Sequence, residues 1–143
     1  MEKILFVCSG NTCRSPMAEG IFNKKAQEHK LDAIAFSAGV SAFPGMPVTE
    51  HAVEAAREKG ADISGHTAVP VSESALGECS VALCMTSGHA LALKSAFPEY
   101  SDKIRLLSRH DISDPFGGTL ADYERAADEI EDAVDALIKA LEE

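Results

Sequence analysis

Apolar and polar positions along the chain alternate between two rhythms. Residues 3–8, KILFVC, form a short unbroken apolar run, the pattern of a strand buried on both faces. The period then changes. From Ser15, the segment SPMAEGIFNKKAQEH has Pro16 just inside its start, Glu19 in its early turns, and Met17 and Ile21 at helical spacing, which predicts a helix. AIAFSAG, ending at Gly39, is a second strand, and the loop VSAFPGMP, rich in small residues and proline, carries Phe43 beyond it. Thr49 caps a predicted helix over EHAVEAAREKG, with Gly60 as its stop. After ISGHTAVPV comes SVALCM, the third strand; Thr86 caps a helix ending near Phe97 and Pro98, and KIRLL is the fourth strand. The loop SRHDISDPFGG leads to a long final helix, on which Tyr123, Ala127, Ile130, Val134, Leu137 and Leu141 repeat at steps of four and three as one apolar stripe.

Strands alternating with helices imply right-handed crossovers and a parallel sheet covered on both sides. The expected fold is α/β: a doubly wound, four-stranded parallel sheet with helices on both faces. A length of 143 residues, 45% of them hydrophobic, suits one domain over residues 1–143, and no repeat or linker argues for a second. In such folds ligands sit beyond the carboxyl ends of the strands. CSGNTCRS, the Phe43 loop and SDPFGG all fall at that edge.

Composition narrows the partners. The formal charge of −10, with no basic patch to counter it, excludes nucleic acid as an expected partner. Asp122, Glu124, Asp128, Glu129, Glu131, Asp132 and Asp135 crowd the last helix and read as a solvated face. Met1, Glu2 and Lys3 lead straight into the first strand, and no apolar run reaches bilayer length. A soluble, cytoplasmic monomer with no membrane partner is the expectation. The four cysteines are then reduced thiols. Cys8/Cys13 and Cys79/Cys84 both have C-x4-C spacing, which invites a zinc site. CSVALC reads as a strand, however, in which its two cysteines point to opposite faces and lie roughly 16 Å apart at about 3.3 Å per residue. No metal is expected, and Cys79 and Cys84 read as inert residues of the core or its margin.

The chemistry concentrates in VCSGNTCRSP, where a strand, a loop of small residues and a helix follow one another. That order turns the backbone N–H groups of Ser9, Gly10, Asn11, Thr12 and Cys13 toward one point and adds the positive end of a helix dipole, making an anion site for phosphate. Arg14 brings a planar fork suited to two oxygens of the same group. Cys8, at the base of the loop, is expected to favour thiolate over thiol and to act as a nucleophile. Buried packing is the bland alternative for a lone cysteine, but C-x5-R-S between a strand and a helix is far more specific. Gly10 is expected to supply a positive φ, with Asn11 stabilising the turn. Ser15 is suited either to donate to the Cys8 sulfur or to cap the helix. Asp114 in SDPFGG is the candidate proton donor for the leaving group, with Asp111 as a weaker rival; Pro115 stiffens that loop and Phe116 walls the substrate.

VCSGNTCRSPMAE near the N-terminus, SAG after the second strand and DPFGG before the last helix resemble the low-molecular-weight protein tyrosine phosphatase family, across essentially the whole chain. The resemblance implies a protein phosphatase that takes phosphorylated proteins as substrates and uses no cofactor. Cys8 accepts the phosphoryl group with Asp114 as acid; Asp114 then serves as base for the water that hydrolyses phosphocysteine. The family's supporting polar network maps onto Asn11, Ser15, Ser37 and His66. Thr12 and DPFGG resemble the bacterial protein-arginine phosphatases of that family, whereas the tyrosine-directed branch usually carries an aliphatic residue at the Thr12 position and a pair of tyrosines after Asp-Pro. Phe43 and Phe116 would flank the stem of either substrate. Two rivals use similar loops. A thiol-dependent arsenate reductase would begin a relay at Cys84, yet no cysteine follows in MTSGHALALKSAF to finish it. A phosphocysteine carrier would be harmed by an acid/base such as Asp114. A protective disulfide between Cys8 and Cys13 is a further expectation of their shared loop.

Overall fold

The computed structural model describes residues 1–143. Its elements in chain order are β1 (Glu2–Cys8), α1 (Arg14–Glu28), β2 (Ala33–Gly39), α2 (Glu50–Glu58), α3 (Glu73–Glu78), β3 (Val81–Cys84), α4 (Ser87–Ala96), a 3-10 turn (Pro98–Lys103), β4 (Ile104–Leu106) and α5 (Leu120–Glu142). The four strands form one parallel sheet in the order β2-β1-β3-β4. The doubly wound α/β architecture read from the sequence is the one observed.

β1 is the centre of the molecule. Every residue from Ile4 to Cys8 is buried, and alternation sends Ile4, Phe6 and Cys8 to one face and Leu5 and Val7 to the other. The first face packs against α1, α2 and α5, where Met17, Phe22, Ala52, Ile130 and Val134 join the core. The second is covered by α3 and α4 through Leu76, Ala90 and Leu93. The final stripe holds, with Ile138 buried and Leu137 and Leu141 packed at its margin. Each Phe or Leu in such a core stabilises the fold by about 2 to 5 kcal/mol relative to alanine.

Three sequence expectations need correction. The segment before β3 contains α3, a six-residue helix whose Ser72 cap accepts from the Ala75 N–H; a stretch this short carries too few turns for its period to register. Cys79 ends that helix rather than opening a strand, so the strand geometry invoked for the Cys79/Cys84 pair does not apply, although both are buried free thiols. The acidic face of α5 is only partly solvated. Lys25 on α1 pairs with Glu131 and Asp135, and Lys59 beyond α2 pairs with Asp128 and Glu131, so the carboxylates tie three helices together. No helix is long and apolar enough to cross a membrane.

Candidate active site

β1 stops at Cys8 and α1 starts at Arg14, so Ser9–Cys13 must reverse the chain between a central strand and its covering helix. The end of β2 presses on this loop: the Ser41 N–H donates to the Ser9 carbonyl at 3.0 Å, and the Val40 N–H to that of Cys8 at 2.9 Å. Gly39 permits that approach. A Cβ at this position would collide with the Ser9 carbonyl oxygen, the physical reason for glycine in SAG.

The left-handed residue of the loop is Asn11, at φ 57°, and not Gly10 as expected. Asparagine tolerates this region because its short polar side chain bonds locally. Here that side chain is fully buried and completely occupied. Its Oδ1 accepts the Val69 backbone N–H at 2.9 Å and faces His66 Nε2 at 3.1 Å; its Nδ2 donates to Ser15 Oγ at 2.8 Å and to Ser37 Oγ at 3.0 Å. Because a backbone N–H only donates, the Val69 contact fixes which end of the amide is oxygen, and every proton in the network follows. His66 Nε2 lies 3.1 Å from both the Asn11 carbonyl and Oδ1, two acceptors, so it carries hydrogen. Ser37 accepts from Asn11 and donates to Glu19 at 2.6 Å. Ser15 also accepts from Asn11, and its own hydrogen is left for Cys8 Sγ, 2.8 Å away.

Ser15 therefore has one of its two expected roles. Cys13 occupies the cap position of α1 and makes no side-chain cap bond, while Ser15 lies within the first turn and donates to sulfur. The Cys8 thiol departs from expectation. Burial of this residue, 3% exposed, pushes it above the ordinary thiol value; the Ser15 hydroxyl, the backbone N–H groups of Ser15 and Asn11, and the Arg14 guanidinium pull it down without cancelling that cost.

Arg14 is 5% exposed, and its guanidinium bridges the cradle to the acid loop. Nη1 donates to the Ile112 carbonyl at 2.9 Å and Nη2 lies 3.7 Å from Asp114 Oδ2. The second contact is loose and half in solvent, which leaves that edge of the fork free to meet an oxyanion. Asp114 Oδ1 accepts the Phe116 N–H at 3.1 Å, an Asx turn that aims the carboxylate, and Gly117 at φ 79° completes the bend. Asp111 is engaged elsewhere: its Oδ1 accepts the Ser87 N–H at 2.8 Å, at the start of α4. Ser113 holds the loop to α5 through Glu129.

Cys8, Arg14, Asp114 and Phe116 line one cleft of about 270 Å³, together with Ser9, Gly10, Thr12 and Cys13 of the loop. Asn11, Ser15, Ser37 and His66 stand behind it as the network. Phe43 does not line the cleft; it is 77% exposed, and its loop contributes Ser41 instead. Two residues had no sequence signal tying them to the site. Glu19 read only as an early helix residue, yet it closes the Ser37 branch. His89, three residues beyond the Thr86 cap, comes across the sheet to within 2.8 Å of Ser9 Oγ. Cys84 is fully buried on β3, and burial pushes its thiol up to about 12, which counts against a redox relay there.

The model of the low molecular weight phosphotyrosine protein phosphatases matches residues 3–143. The chain belongs to that family. A protein-arginine-phosphatase of Bacillus subtilis is 40% identical over 144 residues, covering 96% of this chain and 95% of that protein. A solved YwlE arginine phosphatase mutant with a phosphorylated active-site serine superposes with a TM-score of 0.95 at 39% identity, covering 99% and 96% of the two chains. A low molecular weight protein tyrosine phosphatase from T. tengcongensis gives a TM-score of 0.94 at 42% identity, with 98% and 99% covered. The family expected from VCSGNTCRSPMAE, SAG and DPFGG is thus borne out.

Proposed function

We propose that this phosphatase hydrolyses phosphoarginine in proteins through a phosphocysteine intermediate, with phosphotyrosine as a poorer substrate. In the first step Cys8 loses its thiol proton to solvent, the thiolate sulfur bonds to phosphorus as the phosphorus–nitrogen bond breaks, and Asp114 gives its proton to the departing guanidine nitrogen. In the second, Asp114 takes a proton from water, the water oxygen bonds to phosphorus, and phosphate leaves with Cys8 restored as thiolate. Arg14 and the N–H groups of the loop hold the equatorial oxygens as charge redistributes. The Ser15 hydrogen, aimed at Sγ, makes sulfur a better leaving group in the second step.

One observation carries the phosphoarginine assignment. Thr12 lines the cleft, and the only side-chain partner of its hydroxyl is the Cys13 sulfur at a long 3.7 Å. That hydroxyl is thus free to accept a hydrogen bond from the N–H groups of a guanidinium bearing the phosphate, whereas a phenyl ester carries no donor for it. The named activity of the Bacillus subtilis relative agrees. Four unpaired thiols suit a reducing compartment, supporting action in the cytoplasm.

Steady-state assays with phosphoarginine and phosphotyrosine peptides test this. Wild type should prefer phosphoarginine by about tenfold or more in kcat/KM, the worth of one or more well-placed hydrogen bonds. Thr12→Ile should shrink or reverse that gap; an identical preference in both proteins would remove Thr12 from specificity.

A further inference from the structure

His89 is a buried titratable group that the reaction just described does not use. It sits in the first turn of α4, 6% exposed, with Nε2 2.8 Å from Ser9 Oγ. Its Nδ1 is buried and has no partner. Ser9 Oγ in turn makes no hydrogen bond except to His89, and Ser9 lines the cleft.

We propose that His89 is a positioning residue: as a neutral imidazole with its hydrogen on Nε2, it donates to Ser9 Oγ and thereby commits the Ser9 hydroxyl hydrogen to the phosphate held in the cleft. The proposal rests on the phosphatase reading of that cleft. Two tautomers are open to the ring. With hydrogen on Nδ1, a donor would be buried facing no acceptor, the rarer and costlier kind of orphan, and the Ser9 hydrogen would be spent on Nε2. With hydrogen on Nε2, only a lone pair is left unpaired, and Ser9 Oγ, already receiving a hydrogen, has its own to give.

The surroundings keep the ring neutral. Burial and the Arg14 guanidinium disfavour a cation here, and the positive end of α4 adds to both; Asp114 and Asp111 oppose them more weakly. Ser9 then adds a side-chain donor to a cradle otherwise made of backbone N–H groups and Arg14. The helix on the far face of the sheet thus reaches the phosphate through one intermediary.

Two measurements on the full-length protein decide it. Long-range 15N–1H NMR of wild type should show the His89 hydrogen on Nε2; a hydrogen on Nδ1 would overturn the proposal. Calorimetry with inorganic phosphate should show Ser9→Ala and His89→Leu each weakening binding by about five- to tenfold, as expected for loss of one oriented hydrogen bond. The double variant should bind no more weakly than either single one, and His89→Gln, whose amide nitrogen reproduces the donor, should lie within about twofold of wild type. Losses that multiply in the double variant, a His89→Gln as weak as His89→Leu, or a Ser9→Ala that binds like wild type would each sink it. Should His89→Leu not fold, the tautomer, Ser9→Ala and His89→Gln still decide. A wild type that neither binds phosphate nor hydrolyses phosphopeptides would instead strike the phosphatase reading itself.

Discussion

The Val69 backbone N–H donates to Asn11 Oδ1 at 2.9 Å, a bond between residues 58 apart in sequence. It clamps the loop that follows β2 and α2 onto the turn that follows β1, and it orients the amide through which Ser15 and Ser37 are held. Replacing Asn11 by alanine removes all of these bonds, leaves the Val69 donor unmatched, and puts a Cβ-bearing residue without local hydrogen bonds at φ 57°. We expect Asn11→Ala to lower stability by about 3 kcal/mol or more, read as a shift in the urea midpoint at constant m-value. A midpoint unchanged within error would mean that the loop is held by other contacts.

Ser15 gives its hydrogen to Cys8, so its removal has a definite sign. The Ser15 hydroxyl lowers the Cys8 pKa and burial raises it. Ser15→Ala leaves the raising effect and deletes the largest lowering one. The apparent pKa should climb, because the thiolate loses a hydrogen bond that the thiol does not need. The rate of iodoacetamide alkylation followed against pH measures it. At any pH below the wild-type midpoint, the variant should react more slowly, and a midpoint displaced to lower pH would contradict the assignment of the proton.

Asp111 and Asp114 lie in one loop and separate cleanly by variant. Asp114→Asn cannot donate or take the proton and should cost about 10² to 10⁴ in kcat, with phosphocysteine trapped after acid quench if the second step suffers most. Asp111→Asn keeps an oxygen able to accept the Ser87 N–H, and its kcat should stay within about threefold of wild type. Equal losses in the two variants would reopen the choice of acid.

Legibility from sequence followed the locality of the physics. Cys8, the loop, Arg14 and Ser15 are contiguous, and a strand-to-helix change of period announces them, so both the cradle and its edge of the sheet could be read directly. Asp114 was readable because proline and glycines mark its loop. His89 and Glu19 were not, since each matters through a partner brought near only by the packed sheet, 80 and 18 residues away. The Gly10 expectation failed for a related reason. Backbone freedom favours glycine for a positive φ, but four tertiary hydrogen bonds to Asn11 outweigh it. Phe43 is a different case, an aromatic in a loop of the right edge whose side chain is exposed to solvent, while Ser41 of the same loop lines the cleft. For Cys8 the loop dipoles that favour the thiolate are visible in sequence, whereas the burial that opposes them is set by the packed fold.

Arg14 is held at both ends, and lysine tests what its shape contributes. The guanidinium bonds the Ile112 carbonyl with one nitrogen while another faces Asp114 Oδ2 and the cleft. A lysine ammonium keeps the charge but is a single point, unable to reach the Ile112 carbonyl and two phosphate oxygens together. Arg14→Lys should lower kcat/KM by about 10² or more, the scale of losing one preorganised donor at a developing charge. If the fork serves the reaction rather than the ground state, the loss should fall mainly on kcat, and the affinity for inorganic phosphate should drop much less than the rate. A variant whose phosphate affinity falls as far as its kcat/KM would show that Arg14 binds substrate and transition state alike. In that case rate acceleration would rest on the backbone N–H groups and Asp114.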